Sequence, residues 1–212
     1  MKSKQMYPRP NIILSRCLNR EIYRYDGQLI GDDFIDRLQD HVNFITVCPE
    51  VGIGLSTPRD PLVLVGNPDS PCLVQPTTGR DLTNDSQSFA TEFLEQLGDV
   101  DGFILKQRSP SCGNRQVEIF RQIDDNKPAW YGNGLFTEIA RNQYPHIPLI
   151  DEEKLADSAH RHSFLSAIFT NAGRRLSGDE LLSADSRQAG IEPEARLYPA
   201  ILQAQWRSEK SC

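Results

Sequence analysis

Gly102-Phe103-Ile104-Leu105 followed by Lys106-Gln107-Arg108-Ser109-Pro110-Ser111-Cys112-Gly113 is the stretch on which the fold turns. A short apolar run cut off by a polar turn with proline and glycine reads as a buried strand. The polar turn at that strand's end carries a cysteine. Two further runs repeat the arrangement. Asn11–Ser15 precedes a polar loop holding Cys17-Leu18-Asn19 and Arg24-Tyr25-Asp26-Gly27, where Asp-Gly is a turn signal. Residues 43–47 end at Cys48-Pro49-Glu50, where proline stops the ladder.

Helical patterns lie between these strands. Residues 31–42 place Phe34, Ile35, Leu38 and Val42 at helical spacing, with aspartates in the first turn. Residues 83–97 put Phe89, Phe93, Leu94 and Leu97 on one face, and Gly132-Asn133-Gly134 opens a helix over 135–143. Residues 146–150 form a last short strand. Residues 51–60, rich in glycine and proline, read as a structured loop; the third glycine of a dinucleotide fingerprint is missing. Residues 62–65 and 72–74 suit short strands of a hairpin-like excursion, while 114–130 alternates too irregularly to assign. This order predicts an α/β layer fold with a mainly parallel sheet, closing near residue 152. Residues 153–176 read as one or two helices with Leu165, Ile168 and Phe169 on an apolar face. Residues 177–212 are polar, broken by Gly190 and Pro193, with a short helical pattern over 198–206. Residues 153–212 are thus expected as a short helical extension, partly disordered.

The chain has 212 residues and a formal net charge of -6. That length suits one domain with a full core, with or without an appendage. The charge argues against non-specific wrapping of duplex nucleic acid, which needs clustered lysine and arginine. It leaves room for a local basic pocket, and Arg16, Arg20, Arg24, Arg59, Arg108 and Arg115 all fall near the cysteine motifs. No apolar run is long enough to cross a bilayer, and Ile12-Ile13-Leu14 is too short for a signal peptide's apolar core. A cytoplasmic protein is expected. Five scattered cysteines in a reducing compartment are buried thiols, metal ligands or nucleophiles, not a disulfide framework.

In open α/β sheets ligands bind beyond the carboxyl ends of the strands. If the three strands are parallel, Cys17, Cys48 and Cys112 open onto one edge. Three thiolates around one site suit a soft metal or an iron–sulfur cluster with one exchangeable iron; zinc with an open fourth position competes. The alternative is three scattered core thiols, since free cysteine is among the most often buried residues. Glu50, two residues past Cys48, either projects into the same crevice to relay protons or is simply solvated. Ser109 and Ser111 either donate hydrogen bonds to a substrate or satisfy turn backbone. Tyr25-Asp26 and Thr57-Pro58-Arg59 either orient a ligand or are plain turns joined by an ion pair. The four histidines form no metal pattern.

Taken together, Cys17 with Arg24-Tyr25-Asp26-Gly27, Val47-Cys48-Pro49-Glu50-Val51, Thr57-Pro58-Arg59, and Lys106 through Gly113 resemble the thiouracil desulfidase family. Gly134-Leu135-Phe136 fits its later helix, and the resemblance covers about residues 10 to 152. It implies a Rossmann-like three-layer α/β fold and removal of sulfur from thiolated uracil, as free base, nucleoside or in tRNA. It also implies a [4Fe–4S] cluster on Cys17, Cys48 and Cys112 with one open iron, Glu50 as acid/base, and Ser109 as a substrate-positioning hydroxyl. Asp26, Arg59 and Ser111 become candidate substrate contacts. The expected reaction is a hydrolysis without net redox change, the thiocarbonyl sulfur on the open iron and a water activated by Glu50 at the carbon.

Leu149-Ile150-Asp151-Glu152-Glu153-Lys154-Leu155 and His162-Ser163-Phe164-Leu165 resemble the start of the second domain of some family members, here far too short to be complete. A small thiolated pyrimidine is therefore the favoured substrate, with thiouridine in tRNA second. Two other classes share the three-cysteine pattern. One is a non-catalytic iron–sulfur or zinc binding module, which has no need of Glu50 or Ser109. The other is a persulfide sulfur carrier, for which one cysteine suffices.

Overall fold

In a computed structural model, whose described residues are 8–177, the chain builds two sheets. The first holds β1 (Asn11–Ser15), β2 (Asn43–Val47), β6 (Gly102–Leu105) and β9 (Leu149–Asp151) in the order β2-β1-β6-β9, every pairing parallel. The second holds β3 (Val63–Val65), β4 (Cys72–Gln75), β5 (Arg80–Asp81), β7 (Val117–Phe120) and β8 (Trp130–Gly132) in the order β5-β4-β3-β7-β8.

Alternation along the parallel strands sorts their side chains to two faces. Ile12, Leu14, Ile104 and Ile150 meet α1 (Asp33–Leu38), α5 (Glu152–Ala156) and α6 (Ser158–Ser177) through Ile35, Leu38, Leu155, Phe164, Ile168 and Phe169. Ile13, Phe103 and Leu105 meet α3 (Thr83–Glu95) and α4 (Leu135–Gln143) through Ala90, Leu94, Phe136 and Ala140. The result is a three-layer α/β fold with a mainly parallel sheet. Gly102 allows the close approach of α6: a Cβ there would lie 2.6 Å from Ile168 and 3.1 Å from Phe164. The expected division at residue 152 falls at the start of α5, and the helices beyond it share the core of α1. The features expected beyond residue 177 lie outside the described residues.

The limits of β1, β2, β6 and α4 agree with the sequence reading. The last strand, expected over 146–150, is Leu149–Asp151, and the helices expected over 31–42 and 83–97 span Asp33–Leu38 and Thr83–Glu95. Three further segments differ in kind. The expected loop after Cys48 begins with a single helical turn, α2 (Pro49–Gly52), because proline at a first helical position both stops a strand and suits a helix start. The excursion is a whole sheet with its own core of Leu62, Leu64, Leu73, Val117 and Ile119. The unassigned stretch 114–130 supplies β7, which pairs parallel with β3, and leads into the edge strand β8. No helix among the described residues is long and apolar enough to cross a membrane.

Candidate functional site

Chain order explains where the site forms. From β1 the chain passes through α1, on one face, to β2; from β2 it crosses to β6 and then through α4, on the other face, to β9. Beside β1 the connections therefore diverge, and a crevice opens beyond the carboxyl ends of the strands at such a point. Cys17 lies in the tight turn Arg16–Leu18 just after β1, Cys48 immediately follows β2, and Cys112 closes the loop after β6. All three line one cavity of about 480 Å³, together with Glu50, Arg59 and Ser109. None of the three is in a disulfide.

The loop after β6 is built to present its cysteine. Arg108 takes φ 59°, reversing the chain. The Ser109 hydroxyl oxygen accepts from the backbone N–H of Ser111 at 3.2 Å and of Cys112 at 3.1 Å, a side-chain turn. Helix α4 has no side-chain cap. Its first N–H groups are met by loop carbonyls instead: Leu135 donates to Pro110 at 3.1 Å and Phe136 to Ser111 at 3.0 Å. The Thr137 hydroxyl adds a bond to the Cys112 carbonyl at 2.7 Å. This docking requires Gly134, where a Cβ would lie 2.4 Å from the Ser111 carbonyl oxygen.

Glu50 is buried and held at both carboxylate oxygens. Arg59 Nε donates to Oε2 at 2.7 Å, and the Ser111 hydroxyl donates to Oε1 at 3.1 Å. Arg59 is itself buried, its side chain 5% exposed. Its other donors reach the carbonyls of Tyr23 and Ser56 at 3.2 Å, the Thr57 hydroxyl at 3.3 Å and Cys48 Sγ at 4.0 Å. Lys106, on the cavity wall, pairs with Glu152, whose other oxygen accepts from Gln107 N–H at 2.7 Å.

Burial pushes all three thiols up: Cys17 to about 12, Cys48 in the same direction, and Cys112 well above its ordinary value. Cys48 adds to the shift at Cys17, and Cys48 and Cys17 add to that at Cys112. Lys106 pulls Cys17 the other way, and a hydrogen bond with Ser15 does so at Cys112. Left to themselves these are neutral thiols, and thiolates there call for positive charge in the cavity.

Among the expected site residues, the structure brings Cys17, Cys48, Cys112, Glu50, Arg59 and Ser109 together on the cavity. Asp26 and Ser111 are not among its lining residues. Asp26 grips Arg24, which does line it, at 2.7 Å; Ser111 lies behind Glu50. Sequence reasoning missed Ser15 and the Lys106–Glu152 pair. A hydroxyl at a strand end and a lysine at the head of the loop were the available signals.

Among the described residues no group of three or more His, Cys, Asp or Glu side chains is arranged to hold a metal ion. Three thiols lining one cavity are a donor set of the kind that soft metals and iron–sulfur clusters take.

The fold and the cavity define an α/β protein that gathers three thiols and a buried carboxylate beyond the carboxyl ends of its strands. The chain belongs to the 2-thiouracil desulfurase family, whose family model matches residues 12–152. It is 31% identical over 110 residues to the uncharacterized protein YbbK of Bacillus subtilis (strain 168), covering 49% of this chain and 73% of that protein. The solved structure of the [4Fe-4S]-dependent thiouracil desulfidase TudS superposes with a TM-score of 0.59 at 29% identity, over 73% of this chain and 99% of that one.

Proposed function

We propose that this protein removes sulfur from a small thiolated uracil by hydrolysis, at a [4Fe–4S] cluster held by Cys17, Cys48 and Cys112. The observation that carries this reading is the meeting of three thiols and Glu50 on one cavity in a chain of this family. A cavity of about 480 Å³ suits a single heterocycle, and the net charge of -6 favours a small substrate over tRNA. The wall at Arg108 and Pro110 also borders a second groove of about 550 Å³, which leaves room for the sugar of a nucleoside.

When bound, the cluster supplies a Lewis-acidic iron that polarises the C–S bond. The protein does the rest. Glu50, with one lone pair of each oxygen engaged by Arg59 and Ser111, keeps acceptor capacity for a proton from water. The Ser109 oxygen already accepts two backbone N–H bonds, so its hydroxyl hydrogen is free to donate to the pyrimidine. Arg16, Arg24 and Lys106 on the wall offset the charge that three thiolates bring. Water adds its oxygen to the ring carbon and sulfur leaves as sulfide; nothing is oxidised or reduced.

Anaerobic reconstitution with iron and sulfide, followed by a sulfide-release assay on thiouracil, tests the proposal. Glu50→Gln is expected to cut turnover by about 10²- to 10⁴-fold while the brown absorbance stays. Cys17→Ala, Cys48→Ala and Cys112→Ala are expected to fail alike in iron content, whereas Cys72→Ser, on β4 away from the cavity, keeps it. Full activity in Glu50→Gln removes the proton relay. A sharp difference among the three cysteine variants points to persulfide chemistry instead.

A further inference from the structure

The guanidinium of Arg59 has no donor left for a ligand. A guanidinium offers five N–H groups. Here they face five acceptors of the protein: the Glu50 carboxylate, the carbonyls of Tyr23 and Ser56, the Thr57 hydroxyl and the Cys48 sulfur. With its side chain 5% exposed, Arg59 touches the cavity only as a wall. The Ser111 hydroxyl approaches Glu50 from the other oxygen, and Ser111 is not among the residues that line the cavity.

Building on the desulfidase reading, we infer that Arg59 and Ser111 are positioning residues that fix the Glu50 carboxylate, and that neither binds substrate. A buried ion pair adds little to stability, because desolvation offsets most of its attraction. What it does provide is geometry. One arm on each oxygen leaves the carboxylate no freedom to rotate about its last side-chain bond. Arg59 extends the same brace to the Tyr23 segment and to Cys48, so three distant parts of the chain hold one orientation.

The test uses the cluster-loaded protein with thiouracil, and calorimetry with uracil, the product. Arg59→Ala is expected to lower kcat about 10²-fold, the loss typical of a misplaced reacting group, with KM within about twofold. Arg59→Lys, which keeps the charge but not the fork, is expected to recover part of that loss. Uracil is expected to bind Arg59→Ala with wild-type affinity. Adding Arg59→Ala or Ser111→Ala to Glu50→Gln is expected to cost less than about twofold more, because both act through Glu50. A tenfold loss of uracil affinity, a raised KM at constant kcat, or losses that multiply in the double variants overturns this role. Should Arg59→Ala fail to fold, Arg59→Lys and Ser111→Ala carry the same comparisons. Loaded wild-type protein that releases no sulfide overturns the desulfidase reading, and this role with it; multiplying losses in an active protein overturn this role alone.

Discussion

Asp26 stands off the cavity, yet its charge decides where Arg24 points. The pair is bidentate, at 2.9 and 2.7 Å, and it lowers the Asp26 pKa to about 2, with the Arg24 hydrogen bond as the first cause. A carboxyl group with a depressed folded pKa contributes above its ordinary value, and that contribution is lost as pH falls through the folded value. The Arg24 anchor is therefore complete above about pH 4 and fails only toward about pH 2. Asp26→Asn is expected to raise KM for thiouracil about two- to fivefold, the size of a partly exposed pair, by the same factor at pH 5 and pH 8 in steady-state assays. A penalty that grows across that range would assign the effect to another group. The cysteines were legible at this scale because each lies in the polar turn that ends an apolar run. The partners of Arg59 were not, since Glu50, Tyr23 and Cys48 meet it only after β1 and β2 pair.

Elements with an apolar run or face and a turn signal beside it could be bounded from sequence, as β1, β2, β6 and α4 show. β7 and β8 could not. Val117 and Ile119 are buried against a strand more than fifty residues earlier, and Trp130 and Tyr131 on β8 are exposed, so no inward face shows in the sequence. The docking of the cysteine loop on α4 was also hidden, because backbone carbonyls serve as the cap and no capping side chain marks it. Gly134→Ala tests that element. Its new Cβ would meet the Ser111 carbonyl, with no flexible side chain to give way. The variant is expected to lose about 1–3 kcal/mol in urea titration and most of its iron, since the strain falls on the turn that carries Cys112. Retained iron at wild-type stability would show that loop and helix are not locked together.

Across the molecule, negative net charge and a cation-lined cavity coexist because the cations come from separate strand ends and meet only in the fold. A buried carboxylate ties the last described helix to the sheet. Asp101, almost fully buried before β6, accepts from Asn11 N–H at 2.7 Å and from Arg175 Nη2 of α6 at 2.9 Å. It thereby joins the start of β1 to the far end of the last described helix. Asp101→Ala leaves the part-buried Asn11 N–H without this acceptor and takes from Arg175 one of its partners, the Arg9 carbonyl remaining, and is expected to cost about 1–2 kcal/mol, read as a lower urea midpoint with unchanged slope. An altered slope would mean that α6 comes away before the sheet unfolds. The amides of Leu135 and Phe136, closed off by the turn carrying Cys112, are natural isotope-exchange probes of the proposed iron site. Loading iron is expected to slow their deuterium uptake, and Cys112→Ala to quicken it. Mass spectrometry of one peptide spanning 133–140 would thus follow occupancy of the centre with no turnover measured at all.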